Sequence, residues 1–144
     1  MTPPRDRVGD LAPFVHVRDM ARSLSYYELL GFEVRDTYQV DGRLRWAALE
    51  SGGAKLMLQL ASAPIDRHQQ AILFYLYTEN LDGLRDHLLA NGLAAGPIVD
   101  GSPGPEREMG LSDPDGYCLM IAESRGEKRF VEGTAQARAR KRGA

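Results

Sequence analysis

Apolar and polar positions alternate at the start of this chain, and that alternation is its first readable signal. Over residues 11–18 (Leu-Ala-Pro-Phe-Val-His-Val-Arg), Phe14 and His16 fall on one side and Val15 and Val17 on the other, as in a half-buried strand. At Asp19 the spacing becomes helical: Leu24, Tyr27 and Leu30 lie near one face, while Arg22, Ser25 and Glu28 lie mostly outside. Asp19 is a suitable N-cap, because its carboxylate can accept from an orphan backbone N–H, and Gly31 is a suitable stop. Residues 32–40 and 43–49 predict two strands joined by Asp41-Gly42, a dipeptide that favours tight hairpins. Ser51-Gly52-Gly53 then turns the chain into a strand over residues 54–60, giving the order β-α-β-β-β.

That order recurs. Residues 72–77 read as a strand, Asn80 or Asp82 opens a helix that ends at Gly92, and residues 97–99 form a short strand before a loop over 101–105. Residues 107–121 predict a hairpin around Asp113-Pro114-Asp115-Gly116. Here proline pre-sets φ, an aspartate caps the loop and glycine supplies positive φ. The run over 117–121 is apolar enough for a strand buried on both faces. Asp19 to Gly31 spans 12 positions, and so does Asn80 to Gly92. The offset between halves is 61 at the helices and 63 at the last turn, where Gly53 answers Gly116, which predicts a duplicated unit. One βαβββ unit cannot cover its own sheet. Two in tandem predict an α+β fold, a half-open curved sheet with helices outside and a concave face suited to a ligand.

Composition narrows this picture without redirecting it. The 144 residues suffice for one domain, here a polar arm over residues 1–10, a domain over 11–123 (module one 11–61, module two 71–123) and a tail over 124–144. From Arg125 onward seven basic and two acidic residues give +5, so the rest of the chain carries −7 against a net −2. The basic tail is expected to be a solvated terminus rather than a nucleic-acid arm. No apolar run approaches a membrane span and the first residues lack a signal-peptide core, so a cytoplasmic protein without a membrane partner is expected. Cys118 is the only cysteine, which excludes an intrachain disulfide or a cysteine-cluster metal site, and no nucleotide-binding glycine loop is present.

Three segments carry a family resemblance: Val17-Arg18-Asp19-Met20-Ala21-Arg22-Ser23-Leu24-Ser25-Tyr26-Tyr27 with Leu30-Gly31-Phe32-Glu33-Val34; Leu56-Met57-Leu58-Gln59; and Arg107-Glu108 through Asp113-Pro114-Asp115-Gly116. Over residues 11–123 the chain resembles the vicinal oxygen chelate superfamily of glyoxalases, bleomycin-resistance proteins and extradiol dioxygenases. The resemblance implies four metal-ligand positions on the first and last strand of each module. In this sequence they fall at Ala12, Met57, Leu73 and Met120. None offers the oxygen or nitrogen that a hard or borderline divalent ion prefers. Neither a metal nor another cofactor is therefore expected. His16 with Gln59 would supply two ligands to a shifted site, fewer than a catalytic metal generally takes. His68, His87, Glu50 and Glu108 are expected at the solvent.

By alternation from those positions, the concave face should carry Phe14, His16, Met57, Gln59, Leu73, Tyr75, Tyr77, Cys118 and Met120, with Trp46 and Met109 as repeat partners. Aromatic and methionine side chains with a few polar handles suit a flat, partly apolar ligand. No base stands in a fixed sequence relation to Cys118, so no catalytic residue is expected. The resemblance implies a metal-independent homodimer that sequesters an aromatic or glycopeptide molecule, as in antibiotic resistance. The alternatives are a metal-dependent lyase or dioxygenase and a non-catalytic regulatory domain.

Overall fold

The computed structural model describes residues 7–100 and 107–124. The loop expected over 101–105 and the basic tail from Arg125 lie outside the described residues. The chain divides between Ile65 and Asp66 into two compact units, each a βαβββ module.

In the first module, β1 (Phe14–Val17), α1 (Met20–Leu29), β2 (Glu33–Val40), β3 (Arg43–Ser51) and β4 (Ala54–Leu60) build a four-stranded sheet in the order β1-β4-β3-β2. The first and last strands pair in parallel, and the remaining contacts are antiparallel hairpins. Local chemistry sets the boundaries. The Asp19 carboxylate accepts from the Arg22 N–H at 3.1 Å, and Gly31 leaves the helix at φ 100°. Asp41 and Gly42 both have positive φ, 52° and 74°, the conformation of a type I′ hairpin. One face of the sheet is sealed by Val15, Val17, Ala47, Leu49, Leu56, Leu58 and Leu60, all buried. The buried side of α1 is Met20, Ser23, Tyr26 and Tyr27, with Leu24 and Leu30 only half covered. It is rotated from the expected stripe because two tyrosines and Phe32 pack edge to face there.

The second module repeats the plan with β5 (Leu73–Thr78), α2 (Leu81–Ala90), β6 (Val99–Asp100), β7 (Arg107–Ser112) and β8 (Cys118–Glu123), in the order β5-β8-β7-β6. Asn80 is the N-cap of α2, its side chain accepting from the Gly83 N–H at 3.0 Å, and Gly92 follows the helix at φ 83°. Phe74, Leu76, Met109, Leu111, Leu119 and Ile121 share one face by register, and the last four are buried. The run beginning at Tyr117 is therefore covered on one face only, since Cys118 is exposed and Met120 half-buried.

The Asp-Pro-Asp-Gly turn is tied inward rather than left at the surface. Buried Asp113 accepts through Oδ1 from the backbone N–H groups of Asp115 and Tyr117, both at 2.9 Å. Gly116 has φ 88°, and a Cβ there would lie 2.1 Å from the Arg67 carbonyl oxygen. Only glycine meets both demands, so this turn docks the segment that opens the second module.

Candidate ligand-binding faces

Directly paired residues point to the same side of a sheet, so the register assigns every site residue to a face. In the first module three rows cross the side opposite the sealed one: Trp46, Gln59 and His16; Ala48, Met57 and Phe14; then Glu50 and Lys55. All are exposed or half-buried, Phe14 at 49%. Phe14 meets His16 edge to face with ring centroids 5.8 Å apart. The third row is a charged end. Arg35, on a bulge of β2, lies 3.3 Å from both Glu33 and Glu50, and Lys55 pairs with Asp10. That pairing holds the Asp10 carboxyl below its usual range and the Lys55 ammonium above its own, through the hydrogen bond and charge attraction between them. Glu50 is thus engaged in an ion pair rather than simply solvated.

The second module has the same three rows: Glu108, Ala122 and Tyr77; Gly110, Met120 and Tyr75; Ser112, Cys118 and Leu73. Tyr75 and Tyr77 lie side by side with centroids 5.5 Å apart, and burial pushes the Tyr77 hydroxyl above the ordinary tyrosine range. Leu73 is 52% exposed. Among the expected site residues, the register brings Phe14, His16, Trp46, Met57 and Gln59 onto one open face, and Tyr75, Tyr77, Cys118 and Met120 onto the other.

Met109 is the correction. It is 1% exposed and paired with Ile121 on the helix-covered side. The residue answering Trp46 is Glu108: Trp46 sits in the row of Gln59 and His16, and Glu108 in the row of Ala122 and Tyr77. Glu108 also departs from expectation. It is 3% exposed, not solvated, and accepts a hydrogen bond from the Tyr75 hydroxyl. No short-range signal marks this pair, whose members lie 33 residues apart. Arg107, its neighbour on the other side of the strand, makes a two-pronged contact with Asp82 at 3.1 Å and reaches Glu123 at 3.3 Å. His68 and His87 are exposed, as expected; His87 lies beside the Asn91 side chain at the end of α2.

The four positions at which the resemblance implies metal ligands carry an alanine, a leucine and two methionines. Met57 and Met120 occupy equivalent points of the two open faces, opposite Ala48 and Gly110. Among the described residues, no group of three or more His, Cys, Asp or Glu side chains could hold an ion. This donor set does not fit a divalent metal at the family's usual position.

A family model of the Glyoxalase/Bleomycin resistance protein/Dioxygenase superfamily matches residues 8–121, and the chain belongs to that superfamily. No curated protein matches it in sequence. Among solved structures, it is similar to a bleomycin-binding protein complexed with bleomycin: 17% identity, TM-score 0.66, covering 82% of this chain and 100% of that one. TnmS3, an antibiotic-binding protein from Streptomyces sp. CB03234, gives 20% identity and TM-score 0.64, covering 85% and 100%. The fosfomycin resistance protein FosX from Listeria monocytogenes, complexed with Mn(II), gives 15% identity and TM-score 0.62, covering 85% and 97%. At these identities the likeness is one of fold, and the fold accommodates drug-binding and manganese-bound proteins alike. Among the described residues, no helix is long and apolar enough to cross a membrane.

Proposed function

We propose that this chain is a binding protein of the bleomycin-resistance type, a homodimer that sequesters an aromatic or glycopeptide natural product without using a metal. The observation that carries this reading is the chemistry of the open faces. Alanine, leucine and two methionines stand where metal-using relatives would need oxygen or nitrogen donors, and each methionine has an aromatic neighbour on its face: Met57 beside Phe14, Met120 beside Tyr75. Methionine adapts to irregular apolar shapes and flat rings stack on aromatics, so such a surface favours affinity over bond-breaking chemistry. Sequestration needs only affinity and stoichiometry. The bleomycin- and antibiotic-binding structures that share the fold point the same way.

Native mass spectrometry of protein purified without chelator, followed by calorimetric titration with metal-free bleomycin, tests the proposal. A metal-free dimer that gains the mass of bleomycin is the expected result. One stoichiometric divalent ion per chain, or protein that gains no bleomycin mass, overturns it.

A further inference from the structure

Gln59 lies in the middle of the first module's open face. It stands on β4, an interior strand, with Trp46 directly opposite on β3 and His16 directly opposite on β1. Paired residues share a side of the sheet, so the carboxamide is flanked by an indole and an imidazole. Gln59 and Trp46 are half-buried, and His16 is exposed. Among the described residues, no hydrogen bond or ring contact engages the side chain of Gln59 or of Trp46. A carboxamide carries an acceptor oxygen and an NH₂ donor side by side. Another amide edge, with an N–H next to a C=O, satisfies both at once. A flat ring that bears such an edge also has apolar faces, and Trp46 is there to meet them, with Met57 and Phe14 in the adjacent row. The second module has no counterpart: Ala122 stands where Gln59 does, and buried Glu108 stands where Trp46 does.

We infer that Gln59 is a specificity-determining residue of the first module's face, pairing edge to edge with flat heteroaromatic molecules that carry N–H and C=O groups side by side, while the ring stacks on Trp46. The inference deepens the binding function proposed above and rests on it. An apolar surface accepts a ring in many orientations, and two hydrogen bonds at one edge select among them.

Carbostyril and N-methylcarbostyril are the probes: both are flat bicyclic lactams, and only the first has a ring N–H. Trp46 is the only tryptophan in the chain, so its indole N–H gives one NMR signal that reports a ligand on this face. Wild-type protein is expected to bind carbostyril roughly two- to tenfold more tightly than the N-methyl compound, the span of one net hydrogen bond. Gln59→Met should remove the preference while still binding both, since the stacking surface is kept and any penalty for the extra methyl is unchanged. Gln59→Glu should keep the preference and weaken both probes, because a carboxylate still accepts the ring N–H but repels the neighbouring carbonyl oxygen. Equal affinities in the wild type, a preference that survives Gln59→Met, or no shift at Trp46 with either probe overturns the inference. Bleomycin titrated against the wild type separates the two proposals. An absent bleomycin response with the lactam preference intact removes only the drug reading. Bleomycin bound normally by a wild type that shows no lactam preference removes only the role of Gln59.

Discussion

The two modules share a register and differ in what they place on it. At one position of the open face the first module carries Trp46 and the second Glu108; at the next strand, Gln59 answers Ala122; at the third, His16 answers Tyr77. The helix-covered sides are alike, with branched aliphatic residues in both. The two modules thus agree in what closes each core and diverge on the opposite side of the sheet, where the row of Trp46 is half-exposed and that of Glu108 and Ala122 is buried. In the first module the charged groups lie at one end of the face, while in the second a buried carboxylate accepts from a tyrosine hydroxyl.

Breaking the turns is the harshest way to probe this. Gly116→Ala combines a left-handed backbone with a clash against the Arg67 carbonyl, and should cost about 2–5 kcal/mol in chemical denaturation. Gly52 ends β3 of the first module at φ 56° with nothing within 4 Å of an added Cβ, so Gly52→Ala should cost only about 1–2 kcal/mol. Equal costs would mean that the docked turn of the second module does not distinguish it.

The paired positions Trp46 and Glu108 come next. Trp46→Ala should weaken bleomycin binding roughly ten- to a hundredfold by calorimetry and leave the melting temperature almost unchanged, because its ring is only half-buried. Glu108→Ala should do more to the fold, costing about 1–3 kcal/mol by removing the acceptor of a part-buried hydroxyl. A large loss of stability at Trp46 with none at Glu108 would reverse the contrast drawn from their burial.

The ion pairs give the mildest contrast. Arg107 holds the Asp82 carboxyl below its usual range, chiefly through their hydrogen bond. A depressed folded-state pKa contributes stability above the ordinary carboxylate value, and that contribution is lost as pH falls through the folded value. Asp82→Asn should therefore lower the melting temperature slightly at neutral pH and flatten its decline in acid, an effect that salt weakens. Asp10→Asn, which breaks the Lys55 pair of the first module, should act in the same direction.

What could be read from the sequence was local. Caps at Asp19 and Asn80, stops at Gly31 and Gly92, and the Asp41-Gly42 hairpin each depend on one or two residues and their own φ, so spacing alone located them. Faces were harder. The offset between halves is 61 at the helices (Asp19, Asn80), 62 on the third strand of each module (Trp46, Glu108) and 63 on the last strand (Met57, Met120). Carrying 63 back onto β7 puts Met109 opposite Trp46, and a slip of one residue moves a side chain through the sheet. The burial of Glu108 was out of reach for another reason. A carboxylate leaves water only when a partner meets it, and Tyr75 comes to it across an intervening strand.

In each sheet the first strand pairs in parallel with the last, β1 with β4 and β5 with β8. A ribosome releases the chain from its N-terminus, so this pairing imposes a timetable. The first sheet can close its seam once Leu60 has emerged, while Leu73, Tyr75 and Tyr77 must wait unpaired on that side until Glu123 follows. During synthesis the first module stands complete beside an open strand of aromatic residues. The newborn chain is most exposed to wrong partners, and to chaperones, in that interval.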